Sequence, residues 1–181
     1  MKFKDTKISG AFEIHLDCRF DERGFFARSW CQREFEEHGL NPNLRQCNVS
    51  FNSHKGTLRG LHYQSAPYPE SKLVRCTSGA IYDVVVDLRP ESPTFKEWVG
   101  IVLTSTGRNM VYVPAGCGHG FLTLEDETEV FYQMSEFYYP ELARGVRWDD
   151  PTFQIVWPRG VEVICERDRT LPSFEQLQWA Y

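Results

Sequence analysis

The sequence has no pair of cysteines close enough together to bind zinc or to form a redox couple. Each cysteine stands alone, and no Cys-x-x-Cys motif is present. Structural zinc sites and thioredoxin-like dithiols require that spacing. We therefore expect reduced, mostly buried thiols at Cys18, Cys31, Cys47, Cys76, Cys117 and Cys165.

Long apolar runs are also missing. No stretch is long enough to cross a bilayer, and the segment Met1–Asp5 lacks the apolar core of a signal peptide. We therefore expect a cytoplasmic protein that does not contact a membrane.

Excess positive charge is absent as well. Lys and Arg number 20 against 25 Asp and Glu, which gives a formal net charge of −5. Such a balance excludes a general attraction to nucleic acid, so any anion-binding site must be local.

Histidines are too few and too scattered for a common metal site. A mononuclear site in a β-barrel usually needs a His-x-His pair with further ligands, because three or four donors must converge on one ion. No such pair occurs among His15, His38, His54, His62 and His119. The sequence therefore predicts a protein without a metal ion.

Short β-type runs dominate the chain from Lys72 onward. They are rich in β-branched and aromatic residues, and Gly, Pro, Ser or Asp turns separate them. This spacing predicts an all-β sandwich or barrel, and a length of 181 residues fits one domain over 1–181. The predicted strands are Lys72–Cys76, Ala80–Leu88, Trp98–Leu103, Asn109–Val113 and Glu129–Met134.

The remaining segments have weaker signals. We predict an edge strand pair within Met1–Leu16, a loop over Cys18–Phe26 that presents Arg23, and a helix over Ser29–Leu40 with Trp30, Phe35 and Leu40 on one face. Pro172–Leu177 is predicted to form a short helix. Alternation from Leu44 to Phe51 places Gln46 and Asn48 on the same side of an extended segment.

The segment Thr57–Gln64 combines a guanidinium and an imidazole beside a glycine. On a regular strand Arg59 and His62 would face opposite sides, but a bend at Gly60 brings both into one cavity. Guanidinium binds phosphate and imidazole titrates near neutral pH. The segment therefore indicates an anionic ligand next to a proton-transfer group, with His119 as a second histidine at the barrel mouth.

Proton abstraction next to a ketone requires a base, a group that orients the base, and an acid on the opposite face. His62 is the candidate base. Spacing leaves its orienting carboxylate open among Asp83, Asp87 and Asp168. The acid stays open among Tyr63, Tyr82, Tyr112, Tyr132 and Tyr138.

Seven collinear motifs extend over nearly the whole chain. They are Arg23–Phe26 (RGFF), Gln46–Asn48 (QCN), Lys55–Gln64 (KGTLRGLHYQ), Lys72–Val74 (KLV), Asp83–Arg89 (DVVVDLR), Pro114–Phe121 (PAGCGHGF) and Trp148–Pro151 (WDDP). With these motifs in this order, the sequence resembles the dTDP-4-dehydrorhamnose 3,5-epimerase family. The resemblance implies a cupin-type jelly roll, a homodimer, no cofactor or metal, and a nucleotide-linked 4-keto-6-deoxyhexose as substrate.

The resemblance also implies roles for individual residues. His62 matches the family's catalytic base, Asp168 its carboxylate partner, and Tyr132 the acid. Tyr138 matches an aromatic residue that stacks on the nucleobase. The positions that hold the diphosphate, the sugar and the 4-keto oxygen match Arg23, Gln46, Asn48, Arg59, Lys72 and His119.

Three positions depart from the family pattern. Arg28 and Ala143 stand where the family often has glutamates, and Arg167 stands in place of a lysine as a further substrate contact. These changes leave the nucleotide open among TDP, CDP and GDP, and they leave open inversion at C3 alone or at C3 and C5. An isomerase of a related keto-sugar and a non-catalytic sugar-nucleotide-binding cupin are the alternatives.

Overall fold

Two β-sheets form the body of the protein in the computed structural model, which describes residues 1–177. The first sheet has six strands in the spatial order β1-β2-β10-β7-β12-β5, all antiparallel. They are β1 (Lys2–Asp5), β2 (Phe12–His15), β5 (Gln46–Asn52), β7 (Lys72–Ser78), β10 (Met110–Val113) and β12 (Thr128–Met134).

The second sheet has the order β13-β6-β11-β8-β9, with a short strand β14 parallel to the start of β6. Its strands are β6 (Thr57–Gln64), β8 (Ala80–Asp87), β9 (Trp98–Thr104), β11 (Cys117–Thr123), β13 (Ala143–Gly145) and β14 (Val163–Ile164). From β5 to β13 the chain crosses repeatedly between the two sheets, and only β8 and β9 are consecutive strands of the same sheet.

The inner faces of the two sheets enclose the main core. Val74 and Val130 from the first sheet pack in one cluster with Val85 and Phe121 from the second. Each of these side chains is at most 5% exposed. Two antiparallel sheets packed face to face with crossing connections form a jelly roll of the cupin type, as expected from the sequence.

The outer faces are covered by less regular segments. On the first sheet, Phe35 and Leu40 pack over Met110 and Tyr112. On the second sheet, the C-terminal segment places Phe153 and Phe174 against the β8 side chains Val84 and Val86. Because β8 is buried on both faces, its sequence is almost continuously apolar instead of alternating.

The helix predicted over Ser29–Leu40 is shorter than expected. Helix α1 runs only from Gln32 to Glu37, and its N-cap residue Cys31 makes no side-chain capping hydrogen bond. The predicted apolar face is present, since Phe35 and Leu40 are buried and Trp30 packs against them. The position of this segment is therefore fixed by the packing of its apolar side chains on the first sheet, although its helix is short.

The loop predicted over Cys18–Phe26 is wrong, because this segment forms a hairpin. Strands β3 (Arg19–Asp21) and β4 (Gly24–Phe26) pair antiparallel around a two-residue turn. Gly24 has a φ of +128°, a value that favours glycine. Phe20 and Phe26 are largely exposed, so the hairpin projects from the body of the chain.

The other predicted elements agree with the structure within one or two residues at each end. Phe174–Gln176 forms a 3₁₀ turn inside the predicted Pro172–Leu177 helix, and Pro140–Leu142 forms another. Helix α2 (Glu166–Arg169) was not predicted. The expectation of mostly buried thiols is wrong, because only Cys76 and Cys117 are buried. Within residues 1–177, no helix has the length and apolar character needed to span a bilayer.

Candidate active site

A cavity with two adjoining lobes opens between the two sheets. The lobes measure about 320 and 420 Å³. Both are lined by His62 from β6, Lys72 from β7, Tyr132 from β12 and Arg167 from α2. The junction of the lobes therefore receives side chains from both sheets.

His62 is held by a buried carboxylate. Its Nε2 lies 2.7 Å from Oδ1 of Asp168, and the other oxygen of Asp168 accepts a hydrogen bond of 2.9 Å from the backbone N–H of Gly60. The Asp168 side chain is 4% exposed, whereas that of His62 is 35% exposed. The imidazole thus faces the cavity while its partner fixes it from behind.

The charge state of Asp168 results from two opposing effects. Burial raises the pKa of this carboxyl, but the hydrogen bond and charge of His62 and the backbone N–H of Gly60 lower it more. The pKa of Asp168 therefore lies below its usual value, and the group is ionised at neutral pH. A carboxylate in this position stabilises the imidazolium that forms when His62 takes up a proton.

The predicted bend at Gly60 is present. Gly60 has a φ of +125°, and the pairing of β6 with β11 shifts register next to it. A Cβ built on Gly60 would lie 2.5 Å from Cα of Gly120, so only glycine fits between these strands. As a result Arg59 and His62 line the same lobe.

His119 forms a second histidine–carboxylate pair in the larger lobe. Its Nε2 lies 2.9 Å from Oδ2 of Asp83. Burial raises the pKa of Asp83, and the charges of His119 and Lys72 only partly offset this. The other Asp83 oxygen has no partner among the described residues.

Tyr132 faces the cavity from the first sheet. Its ring packs against the core cluster between the sheets, and it lines both lobes together with His62. Burial raises the pKa of the phenol, as does the charge of Glu70, while Arg59 lowers it. Tyr132 is therefore a neutral proton donor at physiological pH.

The structure narrows the choice of the carboxylate that orients His62 and of the tyrosine that acts as the acid. Asp87 binds Arg89 and does not contact either histidine. Tyr82 packs against Trp157 on the outer face of the second sheet, and the Tyr112 hydroxyl accepts a hydrogen bond from the backbone N–H of Asn41. Tyr63 and Tyr138 line the smaller lobe only.

Polar side chains from β5 complete the smaller lobe. Gln46 and Asn48 both line it, as their alternation predicts. The side chain of Gln46 accepts a hydrogen bond of 2.9 Å from the backbone N–H of Tyr138, which places the ring of Tyr138 at this lobe. Arg59 in the larger lobe is fixed by a 2.7 Å bond to Asn52.

Arg23 does not line the cavity of its own chain, so the substrate contact expected for it stays a prediction. It lies in the turn of the projecting β3–β4 hairpin, its side chain is 82% exposed, and it pairs with Asp21. The hairpin contacts the loop between β9 and β10, where the Arg108 guanidinium lies 4.4 Å from the centre of the Phe25 ring.

Two of the three positions that depart from the family pattern line the cavity, and the third does not. Arg28 pairs with Glu34 at 2.9 Å, outside both lobes. Ala143 lines the smaller lobe, so this lobe lacks the carboxylate that a glutamate at this position would supply. Arg167 lines both lobes, so the cation expected before Asp168 is retained at the site.

Comparison with known proteins identifies the family of this chain. The family model described as dTDP-4-dehydrorhamnose 3,5-epimerase matches residues 5–176. The chain belongs to the dTDP-4-dehydrorhamnose 3,5-epimerase family. It is therefore a member of an isomerase family, as the sequence motifs predict.

Individual family members are similar over most of their length. The dTDP-4-dehydrorhamnose 3,5-epimerase of Methanothermobacter thermautotrophicus is 42% identical over 171 residues, which cover 93% of this chain and 91% of that protein. The crystal structure of the Elizabethkingia anophelis enzyme superposes with a TM-score of 0.94 at 35% identity and covers 97% of both chains. A Legionella pneumophila epimerase, solved in complex with dTDP-4-keto-L-rhamnose, has a TM-score of 0.90 at 35% identity over 98% of this chain and 94% of that chain.

Sequence reasoning missed two charged residues of the cavity. Glu70 and Arg144 both line the smaller lobe. Glu70 lies two positions before Lys72, and residues at that spacing in an extended segment point to the same side. This spacing could have identified Glu70, whereas nothing in the sequence near Arg144 indicates a site.

Potential metal ligands are not clustered in the described part of the chain. Within residues 1–177, no cluster of three or more His, Cys, Asp or Glu side chains has a metal-binding arrangement. In the cavity, each of the two histidines directs its Nε2 at a carboxylate instead.

Proposed function

We propose that this protein epimerises a nucleotide-linked 4-keto-6-deoxyhexose without a cofactor. The observation that carries the proposal is the position of His62, bonded to Asp168 of α2, on the second sheet and of Tyr132 on the first, at the junction of one cavity. A sugar ring between them has a base on one face and an acid on the other. Inversion at carbon requires this arrangement.

In the proposed reaction, His62 removes the proton from the carbon next to the 4-keto group. The electrons of that C–H bond move to the carbonyl oxygen and form an enolate. Lys72 and His119 are placed to stabilise the negative oxygen with positive charge and a hydrogen bond. When the enolate collapses, Tyr132 donates its phenolic proton to the opposite face of the same carbon.

The polar lining of the cavity fits a nucleoside diphosphate sugar. Arg59 and Arg167 supply guanidinium groups for phosphate oxygens. Tyr138 offers a ring for the nucleobase, and Gln46 and Asn48 supply side-chain amides beside it. The dTDP-linked ligand of the Legionella relative supports thymidine as the nucleoside.

We further propose a cytoplasmic homodimer with one domain per chain. The edge strand β5 exposes Val49 and Phe51, and the projecting hairpin exposes Phe20 and Phe26. An apolar edge of this kind is a natural pairing surface. Insertion of the hairpin into a partner would bring Arg23 near the partner's cavity. Light scattering tests the dimer, and mixing R23A with H62A subunits tests whether the cavity is shared.

Proton NMR in D₂O tests the proposed reaction. The purified protein is incubated with TDP-, CDP- and GDP-linked 4-keto-6-deoxyglucose, and the C3 and C5 signals are followed. Loss of both signals with inversion at both carbons identifies a 3,5-epimerase, and loss at C3 alone identifies a 3-epimerase. Movement of the carbonyl to another carbon identifies an isomerase, and binding without any exchange would contradict the proposed catalysis.

A further inference from the structure

Glu70 is a buried carboxylate at the cavity, and the proposed reaction assigns it no role. It lies in the segment that precedes β7, and its Oε1 is 2.9 Å from Nζ of Lys72. The side chains are only 6% and 11% exposed, respectively. Exposed ion pairs contribute little, but a pair withdrawn from water persists only if each charge is compensated. Glu70 is thus the bonded counter-charge of the Lys72 ammonium.

The backbone around Glu70 is fixed by hydrogen bonds. The side chain of Gln64 donates to the carbonyls of Tyr68 and Phe137, at 2.6 and 3.0 Å, and accepts from the backbone N–H of Tyr139. Ser71 and Ser135 are joined in both directions, since the N–H of Ser71 donates to the Ser135 hydroxyl and the N–H of Ser135 donates to the Ser71 carbonyl. These bonds fix the backbone on both sides of Glu70, and among the described residues the carboxylate itself bonds only to Lys72, since its Oε2 has no partner.

We propose that Glu70 is a positioning residue that holds the Lys72 ammonium at the junction of the two lobes. The inference rests on the proposed function, in which Lys72 stabilises the enolate oxygen. A negative charge beside a site for a diphosphate opposes substrate binding, so affinity does not explain its presence. Positioning of the Lys72 ammonium explains the presence of Glu70, because a fixed charge stabilises a transition state without reorganisation.

A second carboxylate, Asp83, can compete with Glu70 for the Lys72 ammonium. The charge of Asp83 also acts on Lys72, from the His119 side of the larger lobe. Without Glu70, the flexible lysine side chain is attracted towards Asp83, whose second oxygen has no partner among residues 1–177. The ammonium would then move away from the junction of the two lobes, which Lys72 lines together with His62 and Tyr132.

The pKa of Tyr132 reports the presence of the Glu70 charge. Tyr132 shares its lobes with His62, Lys72, Arg167 and Tyr138, and the charges of Glu70 and Arg59 act on it in opposite directions. Because Glu70 contributes to the raised pKa of Tyr132, its removal lowers that pKa. The basic limb of the rate profile should then move to lower pH.

The test compares Glu70→Gln with the parent and with Glu91→Gln, a matched change of an exposed glutamate on the β8–β9 loop. We expect E70Q to lower kcat about tenfold while KM stays unchanged or falls, and E91Q to behave as the parent. In a Lys72→Ala background, E70Q should change kcat by less than about twofold, because coupled residues are not additive. A loss of about tenfold in that background too, or an unchanged kcat in the parent background, would overturn the proposal.

A readout without substrate separates this inference from the proposed reaction. Tyrosine labelled with ¹³C at Cζ reports phenol ionisation, and the Tyr132 signal is identified by its absence in Y132F. The signal should titrate at lower pH in E70Q than in the parent and in E91Q. An unmoved titration refutes the cavity role of Glu70 even in an active enzyme. If the titration moves but no sugar nucleotide is epimerised, the proposed reaction fails instead.

Discussion

His62 and His119 lie directly opposite each other on the paired strands β6 and β11, and each imidazole bonds through Nε2 to a different buried carboxylate. The two pairs differ in exposure: the His62 side chain is 35% exposed and that of His119 is 10% exposed. They also differ in the direction in which the pKa of the carboxyl moves, down for Asp168 and up for Asp83. We therefore expect His62 to exchange protons with the substrate and His119 to act as a hydrogen-bonding group.

Replacement of His62 by Ala should abolish exchange of the hydrogen next to the carbonyl. Removal of a general base typically lowers the rate on the order of a hundredfold or more. Deuterium incorporation in D₂O measures the step directly. Exchange at the parental rate would assign the base to another residue.

Replacement of Asp168 by Asn should slow exchange by less than the loss of His62, on the order of tenfold, since the base is still present but less well oriented. Binding of dTDP, measured by calorimetry, should be preserved. An unchanged exchange rate would show that His62 does not need this carboxylate.

The same variant should show a pH-dependent loss of stability. In the folded protein the pKa of Asp168 lies below its usual value, so the ionised carboxylate stabilises the fold above the pH range in which the unfolded chain loses this proton. This contribution disappears as the pH falls through the folded-state pKa. The difference in Tm between parent and D168N should therefore be largest near neutral pH and should narrow in acid. A difference that is constant with pH would contradict the ionised state.

Replacement of Tyr132 by Phe should separate exchange from inversion. The ring still packs between the sheets, but the proton donor is lost. His62 can still remove a proton and return deuterium to the same face. We expect deuterium at C3 with little inverted sugar, as measured by NMR. Inversion at the parental rate would identify Tyr138 or a water molecule as the acid.

Activity should survive exhaustive chelation and dialysis. The sequence has no His-x-His pair, and the two cavity histidines are committed to carboxylates. The measurement is the exchange rate before and after treatment with EDTA. Activity that returns only after addition of Fe, Zn or Mn would establish a metal-dependent reaction.

Replacement of Gly60 by Ala should destabilise the protein by about 1–3 kcal/mol and impair exchange. The new Cβ would lie 2.5 Å from Cα of Gly120 and 2.8 Å from the carbonyl oxygen of His119, which forces β6 and β11 apart. Gly160→Ala is the matched control, because no heavy atom lies within 4 Å of a Cβ built there. Equal melting temperatures for both variants would show that the strands adjust freely.

The amino-acid sequence by itself determined the all-β class and the strands β7, β8, β9, β10 and β12, because each has its own local pattern of β-branched or aromatic residues and turns. It did not predict β11 (Cys117–Thr123), whose glycines are typical of turns. It also indicated the bend at Gly60, since glycine is the residue that accepts such backbone angles. The motif order was enough to indicate the family, which the comparisons confirmed.

Only the tertiary structure decided which side chains meet. Asp168 lies 106 positions from His62, and nothing local distinguishes it from Asp83 or Asp87. The packing of α2 against β6 brings Asp168 behind the imidazole, while the register of β11 gives Asp83 to His119. The structure also shows that Arg23 lies on an exposed hairpin outside the cavity of its own chain, which its motif did not reveal. Sequence patterns report the face and conformation of a segment, whereas distances between remote side chains depend on how the two sheets pack.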